Sequence, residues 1–146
     1  MPLRPEPATV DATQEDEVVA LLSRQRASGL WKTEGEDSDV AIARATTLAL
    51  LELLQRNVTT SHPLHGAQIR KAVTALAAML GRVQAQDPQL AELAAMVAWL
   101  IATGPRSRNE VERALSGDAG LTAVKQGLGD EAAVRSRVQH LAAQLR

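Results

Sequence analysis

Asp87-Pro88-Gln89-Leu90-Ala91-Glu92-Leu93-Ala94-Ala95-Met96-Val97-Ala98-Trp99-Leu100-Ile101-Ala102 decides the fold. Asp can cap free amides and Pro is pre-set for a first helical turn, so Asp87-Pro88 starts a helix, which Gly104-Pro105 then ends. Within it Leu90, Leu93, Val97, Leu100 and Ile101 share one face, while Met96 and Trp99 point elsewhere. A helix apolar on more than one side lies at the centre of a bundle or in an interface. Its apolar run from 93 to 102 spans ten residues, against roughly 18 to 20 needed to cross a bilayer.

Outward from this helix the pattern stays helical. Upstream, residues 67 to 83 space Ile69, Val73, Leu76, Leu80 and Val83 on one face, with Arg70, Lys71 and Arg82 outside. Before that, residues 39 to 56 carry Val40, Ile42, Leu48, Leu50, Leu51, Leu53 and Leu54, a surface wide enough for a second central helix. The connection from 57 to 66 holds Thr59, Thr60, Ser61, His62, Pro63 and His65, whose polar groups suit a helix cap. A first helix from Thr13 to near Gly29 puts Glu15, Asp16 and Glu17 in its opening turn and Val18, Leu21 and Leu22 on its inner stripe. The Pro-rich residues 1 to 12 are expected to form an extended arm.

Downstream, Ser107-Arg108-Asn109-Glu110 has capping-box spacing before Val111, Ala114 and Leu115. Four glycines between 116 and 130 leave room for one short helix near 121 to 126. A last helix from Asp130 carries Val134, Val138, Leu141 and Leu145, a narrow stripe that packs at a bundle edge or pairs with another chain. The expectation is an all-α protein, a single compact bundle or partial α/α-type array of about six helices, occupying residues 13 to 146.

Composition agrees. The 146 residues include two Trp and no Phe, Tyr or Cys, and 45% are hydrophobic. The core is therefore aliphatic, strand formers are scarce, and disulfide, thiol-nucleophile and cysteine-metal chemistry are excluded. Sixteen basic and seventeen acidic side chains nearly cancel, so no global field recruits nucleic acid or an anionic membrane. Acids nevertheless collect early: residues 1 to 40 hold nine acids and four bases, the usual sign of a solvated surface. With no apolar segment in the first residues, a cytoplasmic location and no membrane partner are expected.

Few residues suggest chemistry. His62 and His65, three apart, with a third ligand from Glu36, Asp37 or Asp39, define a conceivable site for a metal-dependent enzyme. The acidic loop at Glu34, Glu36, Asp37 and Asp39 could pair carboxylates, yet hydrated loop acids keep near-normal acidity. His140 reads as a surface group. The glycines form no phosphate-binding run, and no nucleophile elbow is present. Residues 107 to 127 distantly resemble a helix-turn-helix, with Arg106, Arg108, Arg113 and Lys125 available to phosphates. The segment Leu121-Thr122-Ala123-Val124-Lys125-Gln126 offers little for base readout.

Gln25-Arg26-Ala27-Ser28-Gly29-Leu30-Trp31 has the shape Q-x-x-x-G-x-W, which resembles the repeat element of α/α-toroid proteins, with Ser28 where an Asp is usual. Together with Thr46-Thr47-Leu48-Ala49-Leu50-Leu51, Val58-Thr59-Thr60-Ser61-His62-Pro63 and Gln68-Ile69-Arg70-Lys71-Ala72-Val73, it is similar to the C-terminal helical region of bacterial vault-inter-α-trypsin and von Willebrand factor A-type proteins. The likeness covers about residues 14 to 81. It implies an accessory helical module in which Gln25, Gly29 and Trp31 are structural. The Asp-x-Ser-x-Ser cation motif of von Willebrand factor A domains does not occur here, so no cation chemistry is carried over. The expected function is a non-catalytic interaction or scaffold module with no cofactor. It would meet a protein partner, or a second copy, through Met96 and Trp99 or along Val134, Val138, Leu141 and Leu145.

Overall fold

A computed structural model describes residues 6–33, 35, 37–117 and 119–145, with side chains described outside 6–14 and 119–120. It is all-α, with seven helices among the described residues: α1 (Glu6–Ser23), α2 (Asp39–Gln55), α3 (Gly66–Gln86), α4 (Pro88–Ile101), α5 (Pro105–Ser116), α6 (Ala119–Gln126) and α7 (Glu131–Leu145). No strand occurs among the described residues.

The helix ends follow local chemistry. Ser38 Oγ accepts the Ala41 N–H at 3.1 Å and starts α2, and Asp87 Oδ1 accepts the Leu90 N–H at 3.1 Å and starts α4. Asp130 Oδ1 accepts from the amides of Ala132 and Ala133 at 3.1 and 3.4 Å before α7. Two starts differ from the sequence reading. α1 already begins at Glu6, with Pro7 tolerated in its first turn, where a missing N–H costs nothing. Residues 6 to 12 are therefore helical, and residues 1 to 5 of the expected arm lie outside the described residues. α5 begins at Pro105, after Gly104 at φ 88°, with no side-chain cap. Ser107 and Glu110 thus lie inside the helix: the fixed proline φ nucleates it three residues early.

α4 is the axis of the molecule. It packs against α2, α3, α5, α6 and α7, and Leu90, Ala91 and every residue from Leu93 to Ile101 are buried. Ala91, Ala94, Ala95 and Ala98 are fully buried. Their small side chains let neighbouring helices approach closely while Leu93, Leu100 and Ile101 fill the space between.

This arrangement corrects the expected contact surface. Met96 is 8% exposed and Trp99 5%, while Val134, Val138 and Leu141 are all buried. Leu145 is partly buried against the same core. α7 packs against α4 with its narrow stripe turned inward, and the apolar residues of both helices are covered largely within the chain. Among the described residues the exposed large hydrophobics are Val19 and Leu64. No described helix is long and apolar enough to cross a membrane.

Candidate functional site

Gln25, Gly29 and Trp31 form a bracket at the end of α1. Gln25 Nε2 donates to Gly29 O and to Gln68 O, both at 2.9 Å, tying the turn to α3. Gly29 holds φ 95°, and a Cβ there would lie 2.9 Å from the Lys71 carbonyl oxygen. Only glycine satisfies both conditions. Trp31 is buried, its Nε1–H donating to Leu21 O at 2.9 Å, while its amide donates to Thr46 Oγ1 at 3.0 Å. The bracket joins α1, α2 and α3.

The two histidines meet, but not at the acidic loop. Their rings stack with centroids 4.7 Å apart, and the carboxylate beside them is Glu15 of α1, with Oε1 2.8 Å from His65 Nε2. Of the loop acids, Asp37 pairs with Lys32, which holds its carboxyl below the usual range, and Asp39 pairs with Arg82 at 2.9 Å. Glu34 and Glu36 lie outside the described residues. Glu15, His62 and His65 each place a ligand-type atom within 4.8 Å of the others.

Their hydrogen bonds argue against a metal there. His62 Nδ1 accepts the amides of Leu64 and His65, both at 3.1 Å, which leaves the ring proton on Nε2. Ligation through Nε2 needs that proton moved to Nδ1, where it would face two backbone donors. As arranged, His65 and Glu15 are the two ligands left, short of the three or four that a zinc site takes. The cluster works instead as a latch between α1 and the connection before α3. That connection is in turn fastened to the end of α4: Thr60 N–H donates to Ile101 O at 3.1 Å, and Ser61 and Thr103 hydroxyls lie 2.7 Å apart. Gly66 is required here, because a Cβ would approach Thr60 O to 2.4 Å. His140 is exposed on α7, 3.3 Å from Gln144 Nε2.

Residues 107 to 127 fall in two helices, α5 and α6, and two of their cations are engaged within the chain. The Arg108 guanidinium lies 4.2 Å from the centroid of the Trp99 ring and pairs with Glu131. Lys125 Nζ donates to Ser116 Oγ at 2.6 Å. Arg106 and Arg113 turn instead toward α3.

There they help line a groove that the sequence did not disclose. Its larger part, about 930 Å³, lies between Ser28, Ala67, Arg70, Lys71, Thr74, Ala75 and Ala78 on one side and Arg106, Ser107 and Glu110 on the other. A contiguous part of about 500 Å³ continues past Val73 and Ala77 to Val111, Arg113 and Ala114. The floor is methyl groups and small side chains. The rim carries Arg70, Lys71, Arg106 and Arg113 against one carboxylate among its described residues, Glu110. Arg70 is fixed by donating from Nη1 to Thr60 O at 2.8 Å, and Arg106 sits 3.9 Å from Glu110 with its side chain 96% exposed. Among the described residues lining these two parts, Glu110 is the one carboxylate and there is no histidine. Comparison with family models, with curated proteins and with solved structures finds no match for this chain.

Proposed function

We propose that the chain is a non-catalytic helical module that binds another protein through the groove between α3 and α5. One observation carries the reading: an open groove with a small-residue floor and a cationic rim lies between α3 and α5, while the apolar stripes of α4 and α7 are covered within the chain. The pairs of His65 with Glu15 and of Arg108 with Glu131 join separate parts of the chain, and neither pair lines the groove. An accessory role beside a von Willebrand factor A-type domain suits this reading. The likeness that suggests it runs through the Gln25, Gly29 and Trp31 bracket, which makes the α1 to α3 corner rigid.

Ala78 is exposed on the groove floor, so Ala78→Trp fills the groove without touching the core. Chemical crosslinking in cells is expected to recover a protein partner with the wild-type chain and to lose it with Ala78→Trp at unchanged melting temperature. Indifference of the recovered partners to Ala78→Trp would refute the reading. Elemental analysis of the purified protein tests the competing metal enzyme: one equivalent of metal that disappears in His65→Ala would replace the interaction module with a metal centre.

A further inference from the structure

We infer that the occupant of the α3/α5 groove is an acidic α-helix of a partner protein, an inference that rests on the groove being the binding surface. α5 spans 12 residues, roughly 18 Å or three turns at the usual rise. Arg106, Glu110 and Arg113 fall at i, i+4 and i+7 on it, hence on one face. Arg70, Lys71, Thr74 and Ala78 share the facing side of α3. The two walls, with alanines and a threonine between them, accept a third helix at the short end of ordinary interaxial distances, about 8 Å. Rows of carboxylates on the incoming helix would then meet Arg70 and Lys71 on one wall and Arg106 and Arg113 on the other. Such complementarity steers encounter and fixes register.

Two other occupants fit less well. A nucleic-acid backbone would bring phosphates against Glu110, which stands between Arg106 and Arg113, and would gain nothing from a floor of methyl groups. A second copy would have to offer α1, which carries five acids and no base. Two of those acids are already engaged, Glu15 by His65 and Glu17 by Arg56.

The test uses the full chain and a labelled peptide of about 18 residues, long enough to be helical, built from Ala and Glu with Glu at i, i+4 and i+7. Fluorescence anisotropy at low salt is expected to show saturable binding. That binding should weaken about tenfold or more in Arg106→Glu/Arg113→Glu and in Ala78→Trp, and should fall as salt rises. The isomer with Lys for Glu should not bind. Equal binding of an acidic peptide interrupted by proline would overturn the helical occupant. Stronger binding of a DNA duplex, abolished by the same double variant, would overturn the protein one, and a sedimenting dimer dissolved by Ala78→Trp would assign the groove to a second copy. If the peptide fails while Ala78→Trp still loses the crosslinked partner, the groove stands and the acidic helix falls. If the peptide binds and ignores Ala78→Trp, both fall.

Discussion

At Gly29 an added methyl meets backbone on α3, whereas at Gly35 it meets no described atom within 4 Å, although both residues hold a positive φ, 95° and 85°. The pair separates conformational strain from collision. Gly35→Ala is expected to cost about 1 kcal/mol, the strain alone, and Gly29→Ala about 1–3 kcal/mol more because Lys71 must move, as measured by urea denaturation. A second neighbouring pair makes the same point for hydroxyls. Thr46 Oγ1 accepts the Trp31 amide and donates to the Trp31 carbonyl at 3.3 Å. Thr47 Oγ1 is buried with no hydrogen-bond partner among the described residues. Thr46→Val should therefore destabilise by about 1–3 kcal/mol, since it strands a buried amide, while Thr47→Val should be neutral or stabilising. The Gln, Gly and Trp of the bracket were legible because their spacing is itself a pattern. Thr46 was not, because a helical threonine looks the same in sequence whether its hydroxyl faces its own turn or a distant amide.

The helices themselves were legible from apolar spacing, since α3 and α4 bury the stripes that their sequences draw, and α2 and α7 bury most of theirs, with Val40, Ile42, Leu48 and Leu145 part-buried. What spacing cannot tell is who covers a stripe. A surplus of apolar surface on α4 has the same appearance whether the covering side chains come from another molecule or from Val134, Val138 and Leu141 on α7. The structure places it within the chain, so Trp99→Ala belongs to stability rather than to recognition. It is expected to cost about 3–5 kcal/mol in unfolding free energy, the range for emptying a buried tryptophan site. Peptide binding in the α3/α5 groove should be unchanged under conditions where the variant remains folded. The start of α5 was misread for a related reason: a capping box is a local pattern, and Gly104-Pro105 had already supplied a stronger local signal just before it.

Across the whole molecule, ion pairs join helices that are distant in sequence. Arg137 reaches Glu92 at 3.1 Å and Arg108 reaches Glu131, fastening α7 to α4 and α5. The hydrogen bond from Arg108 holds the Glu131 carboxyl below the usual glutamate range, with Arg135 assisting and partial burial opposing. A carboxyl whose acidity is strengthened by folding stabilises the folded state above the ordinary range and loses that contribution as pH falls through its folded value. For a half-exposed pair the contribution is about 1 kcal/mol or less. The difference in urea midpoint between wild type and Glu131→Gln is expected to be largest near neutrality and to close on acidification; a difference that grows in acid would refute it. The groove is a feature of this scale alone. Arg70 and Lys71 lie in one helix and Arg106 and Arg113 in another, and only the packing of α3 on α5 turns two unremarkable charge patterns into one rim.

The chain has two tryptophans and nothing else in it absorbs strongly in the near ultraviolet, since Phe and Tyr do not occur. Trp31 sits where α1 is pinned, and Trp99 sits in the central helix beneath a guanidinium. The intrinsic emission of the protein is thus the sum of two lamps, one over the hinge of α1 and one over the axis. Phenylalanine at either position leaves a single lamp, which tells peeling of the first helix apart from collapse of the bundle.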